Sequence, residues 1–188
     1  MSPWMWWALA LLVLILIWAI TGLASRLDRL HHRIAGDKKA LDAQLVRRAS
    51  ASLELVRLGI LDPATTLVIA ETATEILDMD GLAGDGRELA ESELSQALRA
   101  GLADEKIFEK IADDALGQGV LRALASSWVR AQMARRFHND AVAHTRRIRK
   151  KLLVRVLRLA GRAPMPVMIE LDDDLPAGLG DYDVRAGL

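Results

Sequence analysis

The sequence predicts an all-α protein: a single N-terminal transmembrane helix followed by an antiparallel helical bundle with long helices. Three observations predict it. Residues Trp4 to Ala24, WMWWALALLVLILIWAITGLA, carry no charged side chain. From Ser25 to Arg162 apolar residues recur at threes and fours, with no alternating strand pattern. After Gly161 the helical pattern stops, and Pro, Gly and acidic residues take over. The expected layout is an anchor over 1–24, a cytoplasmic helical bundle over 25–162 and a flexible acidic tail over 163–188. A chain of 188 residues suits one domain of ordinary size.

The anchor comes first. A transmembrane helix needs roughly 20 predominantly apolar residues, and this stretch has enough. Trp4, Trp6 and Trp7 suit one membrane interface, and Trp18 lies nearer the other end. Arg26, Arg29, Arg33, Lys38 and Lys39 follow closely, while only the α-amino group precedes. By the positive-inside rule the N-terminus is outside and the bulk of the chain cytoplasmic, as in a single-pass protein of the plasma (inner) membrane. Gly22-Leu23-Ala24 loosely resembles a signal-peptide cleavage site. A signal peptide needs a positive n-region, however, and none is present.

The stripe Leu27, Leu30, Ile34, Leu41, Leu45, Leu53 and Val56 continues the anchor helix as a stalk. At 1.5 Å per residue it runs roughly 50 Å. Gly59, Asp62 and Pro63 break it. Asp62 suits a cap and Pro63 a first helical position, so a second helix is expected there, carrying Leu67, Ala70, Ile76 and Leu77. Asp80 to Gly86 reads as a loop. A third helix follows with Leu89, Leu94 and Leu98 on its stripe. Asp104 suits the cap of a short piece holding Ile107, Phe108 and Ile111. Gly117-Gln118-Gly119 is the next expected break. The longest helix then runs from about Val120 to Ala160. Val167 to Leu171 suits a short extended or docking piece.

The formal charge balances, 25 basic against 25 acidic residues, but its distribution does not. From Asp62 to Asp114 fourteen acids stand against Arg87, Arg99, Lys106 and Lys110. From Arg130 to Arg162 eleven Arg or Lys stand against Asp140 alone. Such blocks pair across a fold or with a partner. The absence of cysteine excludes disulfides, thiolate metal sites and a cysteine nucleophile.

Candidate chemistry centres on RRFHNDAVAH, Arg135 to His144. On a helix adjacent residues point about 100° apart, so His138, Asn139 and Asp140 do not converge on one atom. Asp140 shares a face with Arg136 and His144. Asp140 and His144 could form a charged pair or two metal ligands, but a metal site needs more than two. No metalloprotease, nucleophile-elbow, phosphate-loop or dinucleotide-binding motif is present. No cofactor is expected. A structural role for the stretch is the reading taken; a membrane-bound metal-dependent or enzymatic protein using Asp140 and His144 is the alternative.

The basic end, RRIRKKLLVRVLRLAGR, combines Arg146, Arg147, Arg149, Lys150, Lys151, Arg155, Arg158 and Arg162 with many apolar residues. That composition suits a helix on an anionic membrane surface. It equally suits a packed helix end whose cations face solvent or the acidic segment. A nucleic-acid partner is not expected, because the apolar content and membrane proximity argue against it.

Three blocks resemble the LemA family. ARRFHNDAV at Ala134 to Val142 is similar to that family's A-R-Q-F-Y-N-D-A-V, through Phe137, Asn139, Asp140 and Val142. LDAQLVRR at Leu41 to Arg48 is similar to I-D-V-Q-L-K-R-R, through Leu41, Asp42, Gln44, Leu45, Arg47 and Arg48. AESELSQALRAGL at Ala90 to Leu102 is similar to A-E-N-E-L-S-x-A-L, through Glu93 and Leu94. The blocks keep the family's order and cover somewhat under half of the chain. The departures are Lys38 where the family has tryptophan, His138 where it has tyrosine, and the basic extension after Val142. The resemblance implies a divergent member: an all-α antiparallel bundle on a single-pass inner-membrane anchor, with no established reaction. Together these readings point to a non-enzymatic membrane-anchored scaffold or adaptor. It would work through self-association or another membrane or cytoplasmic protein, with anionic lipid as a further contact.

Overall fold

A computed structural model describes residues 3–79, 81, 85–157 and 163–182. The described elements are helical: α1 (Pro3–Arg57), α2 (Pro63–Asp78), α3 (Asp85–Gly101), α4 (Glu105–Ile111), α5 (Ala115–Arg149), α6 (Leu152–Val156) and a 3-10 helix (Ala177–Tyr182). No strand occurs among the described residues. The chain divides into two compact units, 1–36 with 139–168 and 37–138 with 169–188.

Local chemistry explains the helix ends. α1 holds no interior proline, and neither Gly22 nor Gly36 packs closely against anything. It ends where Gly59 takes φ 65°, a left-handed conformation that glycine adopts without strain. α2 starts with Pro63 behind Asp62, whose carboxylate accepts from the Ala64 and Thr65 N–H groups at 3.0 Å each. Those hydrogen bonds hold the Asp62 carboxyl below its ordinary value, that with Thr65 contributing most. Asp104 caps α4 through the Lys106 N–H.

Two expected boundaries move. The expected break at Gly117-Gln118-Gly119 lies instead at residues 112–114, and the glycines fall inside the first two turns of α5. Asp114 is the reason: its carboxylate accepts from the Leu116 and Gly117 N–H groups at 3.1 and 3.0 Å, so the helix starts behind it. The long helix expected to reach Ala160 stops at Arg149, with a short α6 after Lys150-Lys151. Arg146, Arg147, Lys150 and Lys151 would stack like charges three and four apart, which opposes continuation, whereas cations suit a helix C-terminus. Of the expected loop at 80–86, residues 80 and 82–84 lie outside the described residues, and α3 already contains Gly86.

In the unit of residues 1–36 and 139–168, the first part of α1 is long and apolar enough to span a membrane, and none of its apolar window is buried. Leu23, Leu27 and Leu30 of α1 cluster with Ile148 of α5 and Val154 of α6. In the unit of residues 37–138 and 169–188, the main core joins α1 (Ala49, Leu55), α2 (Ile69, Ile76), α3 (Leu94, Leu98), α4 (Ile107, Ile111) and α5 (Leu121, Trp128). A smaller cluster joins Leu41 and Leu45 to Ala131 and Ile169.

Residues 163–176, which include the extended or docking piece expected at Val167 to Leu171, run without helix or strand; with the 3-10 helix that follows, whose Leu179 lies in the main core, they are here called the strap. Tyr182 stacks on Phe108 with ring centroids 5.8 Å apart. The Cα of Gly178 lies so near the Phe108 ring that a Cβ there would collide with it. Residues 183–188 lie outside the described residues.

Candidate functional site

Arg48 sits on α1 with its side chain wholly buried. A lone buried cation is costly, so its partners decide whether it can be there. Nη2 of Arg48 donates to Glu91 Oε2 at 2.7 Å and to the Glu91 carbonyl at 2.9 Å, and Nη1 donates to Ser95 Oγ at 2.9 Å. The guanidinium lies 4.7 Å from the centroid of the Trp128 ring, a cation–π distance. Burial pushes the Arg48 pKa down and the Glu91 carboxylate opposes that, with smaller help from Asp173 and Asp172.

Glu91 is shared. Its Oε1 accepts from Arg87 Nε at 2.9 Å, and neither Arg87 nor Glu91 reaches solvent appreciably. Arg87 Nη1 also donates to the Ile76 carbonyl at 2.6 Å and the Met79 carbonyl at 3.3 Å. It thereby caps the C-terminus of α2, where the helix dipole favours a cation. Asp42 Oδ1 lies 3.6 Å from Arg87 Nη2, an attraction without a hydrogen bond. One buried carboxylate thus holds two buried guanidinium groups that arrive from α1 and α3.

The strap closes over this centre. The Asp172 carbonyl lies 2.6 Å from Ser95 Oγ, nearer than the Glu91 carbonyl at 2.9 Å, so the single hydroxyl proton goes to the strap. The Asp173 carbonyl accepts from Trp128 Nε1 at 2.8 Å and Gln132 Nε2 at 2.5 Å. The Asp173 carboxylate takes a bidentate pair from Arg135 at 2.8 Å each. Asp172 pairs with Arg99, whose guanidinium holds the Asp172 carboxyl below its ordinary value; Arg99 is raised in return. Earlier on the strap, Arg146 Nε donates to the Pro166 carbonyl, and Arg149 to the carbonyls of Pro164 and Ala163.

The residues singled out from sequence scatter. Arg48 is the buried centre, Leu41 and Leu45 meet Ile169, Leu94 is core, and Asp42 faces Arg87. Gln44 and Arg47 line a shallow groove of about 350 Å³ with Glu54 and Arg130. Glu93 is exposed, and the acid that matters is Glu91, two residues earlier. Phe137 is exposed; Asn139 is half-buried, Asp140 and His144 are exposed, and Val142 is buried. Among the described residues no ion pair joins Asp140 to Arg136 or His144, and no three His, Asp or Glu gather as metal ligands. On the basic end, Arg146 and Arg149 are spent on strap carbonyls. Arg147, Lys150, Lys151 and Arg155 are exposed, and Arg158 and Arg162 lie outside the described residues.

Arg87, Glu88, Glu91, Ser92, Ser95, Arg99, Trp128, Gln132 and Arg135 were missed. Their signal was present: Glu88, Ser92, Ser95 and Arg99 recur at four, three and four, and Trp128, Gln132 and Arg135 at four and three. These are polar stripes with the spacing of a buried face. Comparison of the chain with family models, curated proteins and solved structures gave no match.

Proposed function

We propose that this protein is a membrane-anchored helical scaffold, a divergent member of the LemA family folded as an antiparallel bundle. It works by self-association or by binding another protein, catalyses no reaction, and contacts anionic lipid through its basic helix end. It sits in the plasma (inner) membrane with its N-terminus outside. The carrying observation is the cluster of Leu23, Leu27 and Leu30 with Ile148 and Val154. It brings the basic end alongside the point where α1 stops being apolar. Exposed Lys150, Lys151, Leu152, Arg155 and Leu157 then suit the headgroup region of an anionic leaflet. Each cation near such a surface contributes roughly 1 kcal/mol. The exposed apolar surface of Trp6 to Trp18 supports the same anchor, since bare apolar area of that extent calls for a lipid environment.

The lipid contact is tested with full-length protein in vesicles, carrying Leu152→Cys and a polarity-sensitive dye. A blue shift in anionic but not neutral vesicles, lost in Lys150→Glu/Lys151→Glu, is expected. Identical spectra in both vesicles would end the lipid reading. The scaffold reading is tested by mass in mild detergent: several copies or a stoichiometric second protein is expected, and a lone monomer overturns it. Labelling of Ser126→Cys by an impermeant thiol reagent in intact cells would reverse the orientation.

A further inference from the structure

Residues 169–176 lie on α3 and α5 as a bound peptide would. They are extended, and most of their contacts run through main-chain atoms. The Glu170 N–H donates to Glu88 Oε2 at 3.1 Å and the Asp172 N–H to Ser92 Oγ at 3.0 Å. The carbonyls of Asp172, Asp173 and Asp174 accept from Ser95, from Trp128 with Gln132, and from Arg99. Such contacts bind any extended chain and leave selection to side chains. Selection here is explicit. Ile169 enters the apolar site of Leu41, Leu45 and Ala131. Three and four residues on, Asp172 meets Arg99 and Asp173 meets Arg135. The groove therefore reads an apolar anchor followed at fixed distance by two acids, with a guanidinium for each.

We propose that this α3/α5 groove is a recognition site for an extended acidic segment, and that copies of the chain exchange residues 169–182, each such segment lying in the other copy's groove. The proposal rests on the self-association reading above. The occupant is a second copy because this segment alone is shown to match all three selecting features. Exchange preserves every groove contact, so contact energy does not distinguish the closed monomer from the exchanged pair. The balance falls to effective concentration, which confinement of anchored copies to one membrane raises.

The chain has no cysteine, so single cysteines report the exchange directly. One tagged copy carries Glu88→Cys and a differently tagged copy carries Glu170→Cys. Both are co-expressed and treated in native membranes with a short bis-maleimide. A covalent dimer carrying both tags is expected, with no such dimer from either variant alone. The double variant Glu88→Cys/Glu170→Cys on one chain serves as the folding control, because it cross-links within the monomer whenever the strap is seated. If that control cross-links and the mixed copies give no dimer, the strap stays in its own groove and the proposal falls. Cross-linking of Glu170→Cys to a different protein instead of a second copy overturns the occupant. Several copies by detergent mass without a cross-linked dimer would sink exchange alone, whereas a monomer by both measures would sink self-association with it.

Discussion

Replacing Glu91 by Gln tests the buried charge centre most directly. The glutamate is fully buried and accepts from Arg48 at 2.7 Å and Arg87 at 2.9 Å. Gln keeps the shape but changes two things. The negative charge disappears between two buried guanidinium groups. One of the two acceptor oxygens also becomes an NH2, so a donor faces a donor at one arginine. Breaking a buried pair by removing one partner costs about 3–5 kcal/mol, mostly as uncompensated charge. Two charge-assisted hydrogen bonds at about 1.5–3 kcal/mol each bracket the same figure. Arg48→Met is the contrasting variant. It deletes one cation but leaves Glu91 paired with Arg87, and a methionine can still pack on Trp128. Its cost should be smaller, about 1–3 kcal/mol. Urea unfolding of the full-length protein in detergent micelles, followed by far-ultraviolet circular dichroism, reads both. The expected order of midpoints is wild type, then Arg48→Met, then Glu91→Gln. A Glu91→Gln unfolding free energy within about 1 kcal/mol of wild type, or Arg48→Met as the worse variant, would refute the assignment of Glu91 as the shared counter-ion.

Two further outcomes follow from single contacts. Arg99 holds the Asp172 carboxyl below its ordinary value, so the pair stabilises the fold above the unfolded carboxylate pKa of about 3.9, and the gain is lost as pH falls through the lower folded pKa. The stability deficit of Asp172→Asn, about 0.5–1 kcal/mol for this partly exposed pair, should therefore be full at neutral pH and close only in acid; a deficit independent of pH would contradict it. Asp62→Ala removes the one carboxylate oxygen that accepts both capping hydrogen bonds of α2 and should lower the thermal unfolding midpoint, modestly because water can reach the freed N–H groups; an unchanged midpoint would show the cap to be idle.

What the sequence made legible was what is decided locally. Asp62, Pro63, Gly59 and Asp104 mark helix ends because a cap or a left-handed residue acts within three or four positions. The misplaced break at Gly117 arose because two glycines read as a stop while Asp114 acted as a start. Beyond the extended piece expected at Val167 to Leu171, the strap was hard to read for the opposite reason. Pro, Gly and acid runs lack a local preference for order, and the groups that hold this segment lie 14 to 82 positions away in sequence. Arg48 was noticed only through a resemblance. In LDAQLVRR the spacing of Leu41, Leu45 and Arg48 puts the second arginine, not the first, on the apolar face, but what makes its burial tolerable is Glu91, Ser95 and Trp128 arriving from other helices.

The same distance explains why such an expensive centre has a use. The main core is built largely from Leu, Ile and Ala, residues that repack at modest cost when one helix slides along another. A guanidinium that must meet a carboxylate, a hydroxyl and an aromatic face at once does not slide, because a shift of one turn leaves it unpaired in the interior. Ser95 carries that register outward: it accepts from Arg48 on one side and donates to the Asp172 carbonyl on the other. Trp128 does the same, with its ring on Arg48 and its Nε1–H on Asp173. The charge centre and the strap groove are therefore one assembly. Disturbing Glu91 should loosen strap binding as well as lower stability, a coupling that apolar packing alone would not produce.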